Sequence, residues 1–94
     1  MIIVSGKLHI APEARAAYLA DCDAVAEQAR RSPGCLDYAL SPDRLDPGRI
    51  NVYERWESDA HLAAFRGAGP EPQQVAEILG AEVSKYRVSG VEAA

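Results

Sequence analysis

The clearest chemical signal in the sequence is a glutamate two positions before the single tryptophan, at the end of an alternating apolar segment. In a β-strand, Glu54 and Trp56 project from the same face. On a face covered by helices, Glu54 would be a partly buried carboxylate with a raised pKa, suited to accepting a proton from a phenol or an activated C–H group. Trp56 would line an aromatic pocket and donate its N–H to a ligand oxygen. The alternatives are an ion pair of Glu54 with Arg66 or Arg87, and plain core packing of Trp56.

Further side chains have the chemistry to contact a ligand near this pair. His61 is a candidate proton shuttle at a pocket rim, or an exposed helical residue. The hydroxyls of Tyr38 and Tyr86 could donate to a substrate carbonyl or a peroxide, or lie at the edge of packed rings. Phe65 is a candidate pocket wall. Asn51 projects to the opposite side by strict alternation, and a bulge would be needed to redirect it. The candidate catalytic residues are Glu54, Trp56 and His61, and the candidate substrate-binding residues are Tyr38, Asn51, Phe65 and Tyr86.

The sequence contains no pattern for a resident metal or cofactor. Its two histidines, His9 and His61, fall in different predicted elements, and neither has a Cys, His or carboxylate at a spacing typical of a ligand set. No Gly-rich phosphate-binding loop occurs. We therefore expect no metal and no cofactor, so the electrons for any oxidation would come from the substrate. Cys22 and Cys35 are expected to be reduced thiols rather than a disulfide.

Composition excludes several classes of protein. The 94 residues include 10 Lys and Arg against 14 Asp and Glu, a net charge of −4, which disfavours a nucleic-acid partner. No apolar run approaches the roughly 20 residues that span a bilayer, so we expect no membrane association. The first ten residues do not resemble a secretion signal, and a cytoplasmic location is expected. The proportions of hydrophobic residues (48%) and charged residues (26%) are ordinary for a single globular domain, here residues 1–94.

Periodicity and turn residues predict four strands and two helices. The first helix begins at Pro12 and ends before Ser32-Pro33-Gly34, and Ser58 caps the second. One or two helical turns are expected within residues 73–79, after a loop over residues 67–72. The predicted strands are Ile2–Ile10, Cys35–Leu40, Arg49–Trp56 and Ala81–Val88, the middle two forming an antiparallel hairpin.

The order strand, helix, strand, strand, helix, strand predicts an α+β fold of the ferredoxin-like, split-βαβ type. Its four-stranded antiparallel sheet would have both helices on one face. Alternation places Leu36, Tyr38 and Leu40 on one side of the second strand. The uncovered face would carry Asn51, Tyr53, Arg55 and Val83, a set too mixed to be purely solvated. Because so small a chain gains most by burying that face against a copy of itself, we expect a homodimer.

Three segments resemble the antibiotic biosynthesis monooxygenase family of dimeric α+β barrels. They are Pro33–Tyr38, Tyr53–Ser58 and Phe65–Pro70, and their order and spacing match across essentially the whole chain. The resemblance implies a homodimeric barrel with one pocket per subunit between sheet and helices. It also implies cofactor-independent oxygenation of an electron-rich aromatic or quinol-type small molecule, the substrate partner we expect.

The same family includes heme-degrading enzymes and isomerases of small phosphorylated ketones, so membership alone does not fix the reaction. Heme degraders combine an Asn on the first strand with a Trp and a His on the second helix, and only Trp56 has a counterpart here. Many relatives have a histidine about where Phe65 stands. The absence of that histidine here argues against a mechanism that depends on a histidine. The alternatives to a monooxygenase are an isomerase that moves protons on a small ketone and a non-catalytic dimer that binds small molecules.

Overall fold

The computed structural model describes residues 1–67 and 77–94. In these ranges the chain forms β1 (Ile2–Ile10), a 3₁₀ turn (Pro12–Ala14), α1 (Arg15–Arg31), β2 (Cys35–Pro42), β3 (Arg49–Trp56), α2 (Asp59–Arg66) and β4 (Ile78–Arg87). This order confirms the predicted α+β, ferredoxin-like fold.

The four strands in the described ranges form one antiparallel sheet in the order β2-β3-β1-β4. β1 is central and pairs with both β3 and β4, while β2 and β3 form the predicted hairpin. Side chains of β3 alternate strictly between a buried side facing the helices and a half-buried open side. The buried residues of β3 are Ile50, Val52, Glu54 and Trp56. Asn51, Tyr53 and Arg55 lie on the open side, as predicted.

Both helices follow the predicted boundary signals. Pro12 lies in the 3₁₀ turn that leads into α1, and α1 ends directly before Ser32. Gly34 has a φ of +80°, a conformation that favours glycine, and the chain enters β2 immediately afterwards. The Oγ of Ser58 accepts a hydrogen bond of 3.2 Å from the backbone N–H of His61, which caps α2 as predicted.

Two clusters of buried side chains fill the space between the helices and the sheet. The first comprises Ile2, Val4, Ala29, Tyr38, Trp56 and Leu62. The second comprises Ile10, Tyr18, Cys22 and Ile50. Both cysteines are reduced thiols rather than a disulfide, as expected, with Cys22 buried and Cys35 half-buried. The Glu54–Trp56 pair belongs to the region of the first cluster.

A β-bulge at the start of β2 overturns the prediction that Leu36 shares a side with Tyr38 and Leu40. The pairing between β2 and β3 shifts after Cys35 and leaves Leu36 as an extra residue. Leu36 is consequently 42% exposed, whereas Cys35 packs against the first core cluster. The bulge moves the alternation by one position and brings the thiol to the helix side.

The prediction for β4 is wrong in two respects. The strand already includes Ile78, which pairs with Ile10, so the predicted helical turn does not extend this far. Val83 pairs with Gly6 on the helix side of β1, so it does not lie on the open face. The rest of the predicted turn and its preceding loop, residues 68–76, lie outside the described residues.

Candidate active site

Glu54 is the one buried charged residue in the described part of the chain, with 7% of its surface exposed. It lies in β3 between its two register partners, Val4 of β1 and Tyr38 of β2. The core cluster of Ile2, Val4, Ala29, Tyr38, Trp56 and Leu62 lies on this side of the sheet. A carboxylate is therefore held in an apolar layer, as the alternation of β3 predicts.

Trp56 is completely buried and its indole Nε1 donates a hydrogen bond of 3.1 Å to Oε1 of Glu54. Residues two apart on a strand share a side, which brings the two groups together. The expected donation from Trp56 to a ligand oxygen is therefore replaced in this structure by donation to Glu54. The indole fixes the position of the carboxylate, and no hydrogen bond from residues 1–67 or 77–94 reaches its second oxygen.

The pKa of Glu54 is raised because burial disfavours the charged carboxylate. The hydrogen bond from Trp56 and the positive charge of Arg66 both lower the pKa of Glu54 and so offset part of this rise. Two cations were expected as ion-pair partners of Glu54. One of them, Arg66, affects Glu54 through its positive charge. The other, Arg87, pairs with Asp59 instead, its Nη1 lying 2.6 Å from Oδ2.

Tyr38 lies directly across from Glu54 and is also buried. The pKa of its phenol is raised well above the usual value, first by burial and then by the negative charge of Glu54. Tyr38 therefore stays protonated at neutral pH and can act as a hydrogen-bond donor. It is not suited to be a proton acceptor.

The ring of Phe65, in α2, packs against the rings of Trp56 and Tyr38. Its centroid lies 5.2 Å from that of Trp56 at an interplanar angle of 30°, and 5.9 Å from that of Tyr38 at 69°. Such tilted and edge-to-face contacts are favourable arrangements for aromatic rings. The structure thus brings together Glu54, Trp56, Tyr38 and Phe65 as one carboxylate among three aromatic side chains.

His61 occupies the first turn of α2 and makes structural contacts there. Its Nδ1 lies 2.7 Å from the hydroxyl of Ser58, and its ring fills the space that a Cβ on Gly34 would need. Within the described residues, no hydrogen bond joins it to Glu54 or Trp56. The structure places His61 at the end of the sheet, beside the helix cap.

Asn51 and Tyr86 lie on the open side of the sheet, opposite the carboxylate. Oδ1 of Asn51 accepts a hydrogen bond of 2.6 Å from Nε of Arg49, and its Nδ2 donates one of 3.0 Å to Asp43. Tyr86 is 55% exposed and pairs with Ile3 of β1. The expected contact of these two residues with a ligand bound beside Glu54 is therefore not supported by this geometry.

Cys35 is a neighbour of the site that the sequence pattern did not identify. Burial raises the pKa of its thiol, and the negative charge of Glu54 raises it further. The thiol reaches this side only because of the bulge at Leu36. Simple alternation places Cys35 on the opposite side from Tyr38. Only the pairing register of β2 with β3 could have identified it as a neighbour of the site.

Neither a metal centre nor a membrane span is found in the described ranges. Residues 1–67 and 77–94 contain no cluster of three His, Cys, Asp or Glu side chains arranged to hold a metal ion. None of the helices in these ranges is long and apolar enough to cross a membrane.

Comparison with known proteins places this chain in a family. The family model described as antibiotic biosynthesis monooxygenase matches residues 1–77. The chain therefore belongs to the antibiotic biosynthesis monooxygenase family. A search of the curated proteins gave no match.

Solved structures of similar proteins cover nearly the whole chain. A candidate antibiotic biosynthesis monooxygenase from Deinococcus radiodurans is 20% identical, with a TM-score of 0.86 over 100% of this chain and 98% of its own. A second candidate of the same description from Caulobacter crescentus is 24% identical, with a TM-score of 0.78 over 97% and 90%. A Mycobacterium tuberculosis protein is 28% identical, with a TM-score of 0.72 over 99% and 97%. These likenesses agree with the fold described above.

Proposed function

We propose that this protein is a cofactor-independent monooxygenase that oxidises an electron-rich aromatic or quinol-type small molecule with O2. The observation that carries the proposal is the buried Glu54 carboxylate among three aromatic rings. A carboxylate whose pKa is raised by burial is a stronger proton acceptor than one in water. Membership of the antibiotic biosynthesis monooxygenase family supports the same class of reaction.

The reaction balances without an external reductant, as a dihydroanthracenone illustrates. Glu54 takes one proton from the reactive CH2 group, and the resulting anion transfers one electron to O2. The two radicals combine into a C–O–O⁻ group. The peroxide takes up the proton held by Glu54, and loss of the second proton from the same carbon with cleavage of the O–O bond then leaves a C=O group and one water. The substrate supplies all four electrons, and the products are the quinone and one water.

Two further residues have supporting roles in this scheme. Trp56 holds the Glu54 carboxylate in place through the 3.1 Å hydrogen bond. Tyr38 is the donor we assign to the oxyanion that develops on the substrate, because its pKa keeps it protonated. Both groups act in a layer from which water is excluded, where such interactions are stronger.

The test is oxygen consumption with a dihydroanthracenone or a dihydroquinone in air. Wild-type protein should consume O2 faster than heat-denatured protein, and Glu54→Gln should lower the rate by about 10²- to 10⁴-fold, the usual contribution of a general base. Glu57→Gln is the matched control, because Glu57 is an exposed carboxylate three residues further along. Equal consumption by wild-type and denatured protein would contradict the proposal.

Trp56→Phe tests the positioning role separately from the packing of the ring. Loss of the N–H removes the hydrogen bond that lowers the pKa of Glu54, so this pKa should rise further. The rate should then reach its plateau at a higher pH than in wild-type protein. An unchanged pH profile would show that Trp56 only packs. Turnover that continues without O2 would favour the isomerase, and binding without any product would favour a binding protein.

A further inference from the structure

A groove lies between α2 and β4, on the helix side of the sheet. It has a volume of about 460 Å³ and is open to solvent. Small-molecule sites are typically clefts of about 300–1,000 Å³, so its size fits a ligand of one or two rings. The lining residues are Asp59, Leu62, Ala63, Arg66, Gly67 and Lys85.

The walls of this groove are positively charged. Arg66 and Lys85 line it, and Arg87 adjoins it through Asp59. Asp59 is compensated twice, because Nζ of Lys85 and Nη1 of Arg87 each lie 2.6 Å from one of its oxygens. Two of the 10 cationic side chains thus contact one carboxylate, and Arg66 adds a third cation to the lining, in a chain whose net charge is −4. This local excess of positive charge favours an anionic ligand.

The floor of the groove is apolar and shares a wall with the candidate active site. Leu62 is 4% exposed and belongs to the same core cluster as Trp56. Ala63, the next residue of α2, also lines the groove. Arg66 faces the groove and also acts electrostatically on Glu54. Leu62 thus belongs both to the groove and to the core cluster of the candidate active site, so the two regions adjoin.

We propose that this groove binds the carboxylate of an aromatic acid, which makes an electron-rich aromatic carboxylate the substrate class. The inference rests on the proposed function. The planar guanidinium of Arg66 matches a carboxylate with two parallel N–H groups, and Lys85 supplies a second cation. Leu62 and Ala63 offer an apolar surface to the ring. The reacting carbon then points toward Glu54, while the acid group stays at the solvent side.

The test compares two naphthol ligands that differ in charge. 1-Hydroxy-2-naphthoate carries the carboxylate, and 2-(hydroxymethyl)-1-naphthol has the same ring without it. Binding is measured by titration calorimetry without O2, so no turnover intervenes. The acid should bind at least about tenfold more tightly than the neutral ligand, equivalent to about 1.4 kcal/mol. Arg66→Gln should remove most of this advantage and leave the affinity for the neutral ligand within about twofold.

Arg44→Gln is the matched control, because Arg44 is an exposed cation in the β2–β3 loop. Arg66 is exposed as well, so both variants should fold, which circular dichroism checks. Equal affinity for the two ligands, or no effect of Arg66→Gln on the acid, would overturn the inference. Tighter binding of 1-naphthyl phosphate than of the acid would overturn the assignment to a carboxylate.

Oxygen consumption with the same ligands separates this inference from the proposed function. Charge-dependent binding without any O2 consumption would contradict the oxygenase and support the groove as a carboxylate site. Oxidation of the neutral ligand, together with equal affinity for both ligands, would support the oxygenase and contradict the groove.

Discussion

Each side of β3 has a side-chain hydrogen bond between residues two positions apart, but the two bonds differ in burial. On the helix side, Trp56 donates to Glu54, two residues away, and both side chains are buried. On the open side, Arg49 donates to Asn51, also two residues away, and both are half-buried. Strand geometry makes both contacts possible, because alternate residues share a side.

The carboxylates that take part in these contacts, Glu54 on the helix side and Asp43 beside Asn51, differ in pKa. Burial raises the pKa of Glu54. The pKa of Asp43 is lowered to about 2, first by the hydrogen bond from Asn51 and then by the backbone N–H groups of Asp46 and Leu45. The difference shows that hydrogen bonds control acidity where water remains, whereas desolvation dominates in the core.

The largest expected effect concerns packing. Trp56→Ala removes a fully buried indole and should lower the free energy of unfolding by roughly 3–5 kcal/mol. Asn51→Ala, on the open side, removes hydrogen bonds at a part-buried position and should lower it by about 1 kcal/mol. Urea denaturation of both variants measures the difference. Equal losses would contradict the contrast between the two sides.

The open side should be the contact between two copies of this chain. Ile3 lies there, paired with Arg55 and Tyr86. The Nε of Arg55 is buried and has no hydrogen-bond partner in the described ranges, and a second molecule could provide one. Light scattering at micromolar concentration should give twice the mass of one chain. Ile3→Lys should weaken this association, and Leu45→Lys, at a 95% exposed loop position, should not. A stable, folded wild-type monomer would refute the prediction.

Glu54→Gln should change how stability depends on pH. Since the pKa of Glu54 is raised above 4.5 on folding, the folded state binds more protons than the unfolded state between those two values. Wild-type stability should therefore fall as pH rises through this window. Gln does not titrate, so the variant should gain stability relative to wild type as the pH rises above 4.5. Urea midpoints measure this gain, and Glu57→Gln should not reproduce it.

The smallest expected effect is the opposite pH dependence at Asp43. Its pKa falls from 3.8 to about 2 on folding, so its contribution to stability is present above 3.8 and lost as pH falls through about 2. Asp43→Ala should lower the melting temperature slightly at neutral pH, and the difference should disappear near about pH 2. A difference that persists in acid would show that the hairpin loop does not depend on the charge of this carboxylate.

Much of the fold follows from local sequence patterns. The alternation of Arg49–Trp56 predicted which side chains of β3 are buried, because successive residues of a strand point to opposite sides. Ser58 correctly predicted the start of α2, and Ser32-Pro33-Gly34 correctly predicted the end of α1. Caps and turns depend on adjacent residues, so both signals are local. The pairing of Glu54 and Trp56 on one side came from the same local rule.

Tertiary structure alone decided which groups surround that pair. The bulge that brings Cys35 to the helix side and the register that turns Val83 away from the open face depend on pairing between strands distant in sequence. The position of Arg66, which lines the groove and also acts electrostatically on Glu54, depends on how α2 packs on the sheet. The sequence by itself determined the side on which each β3 residue lies, since that is a property of the local backbone. The partners of each residue required the folded chain, because burial and charge act through space rather than along the sequence.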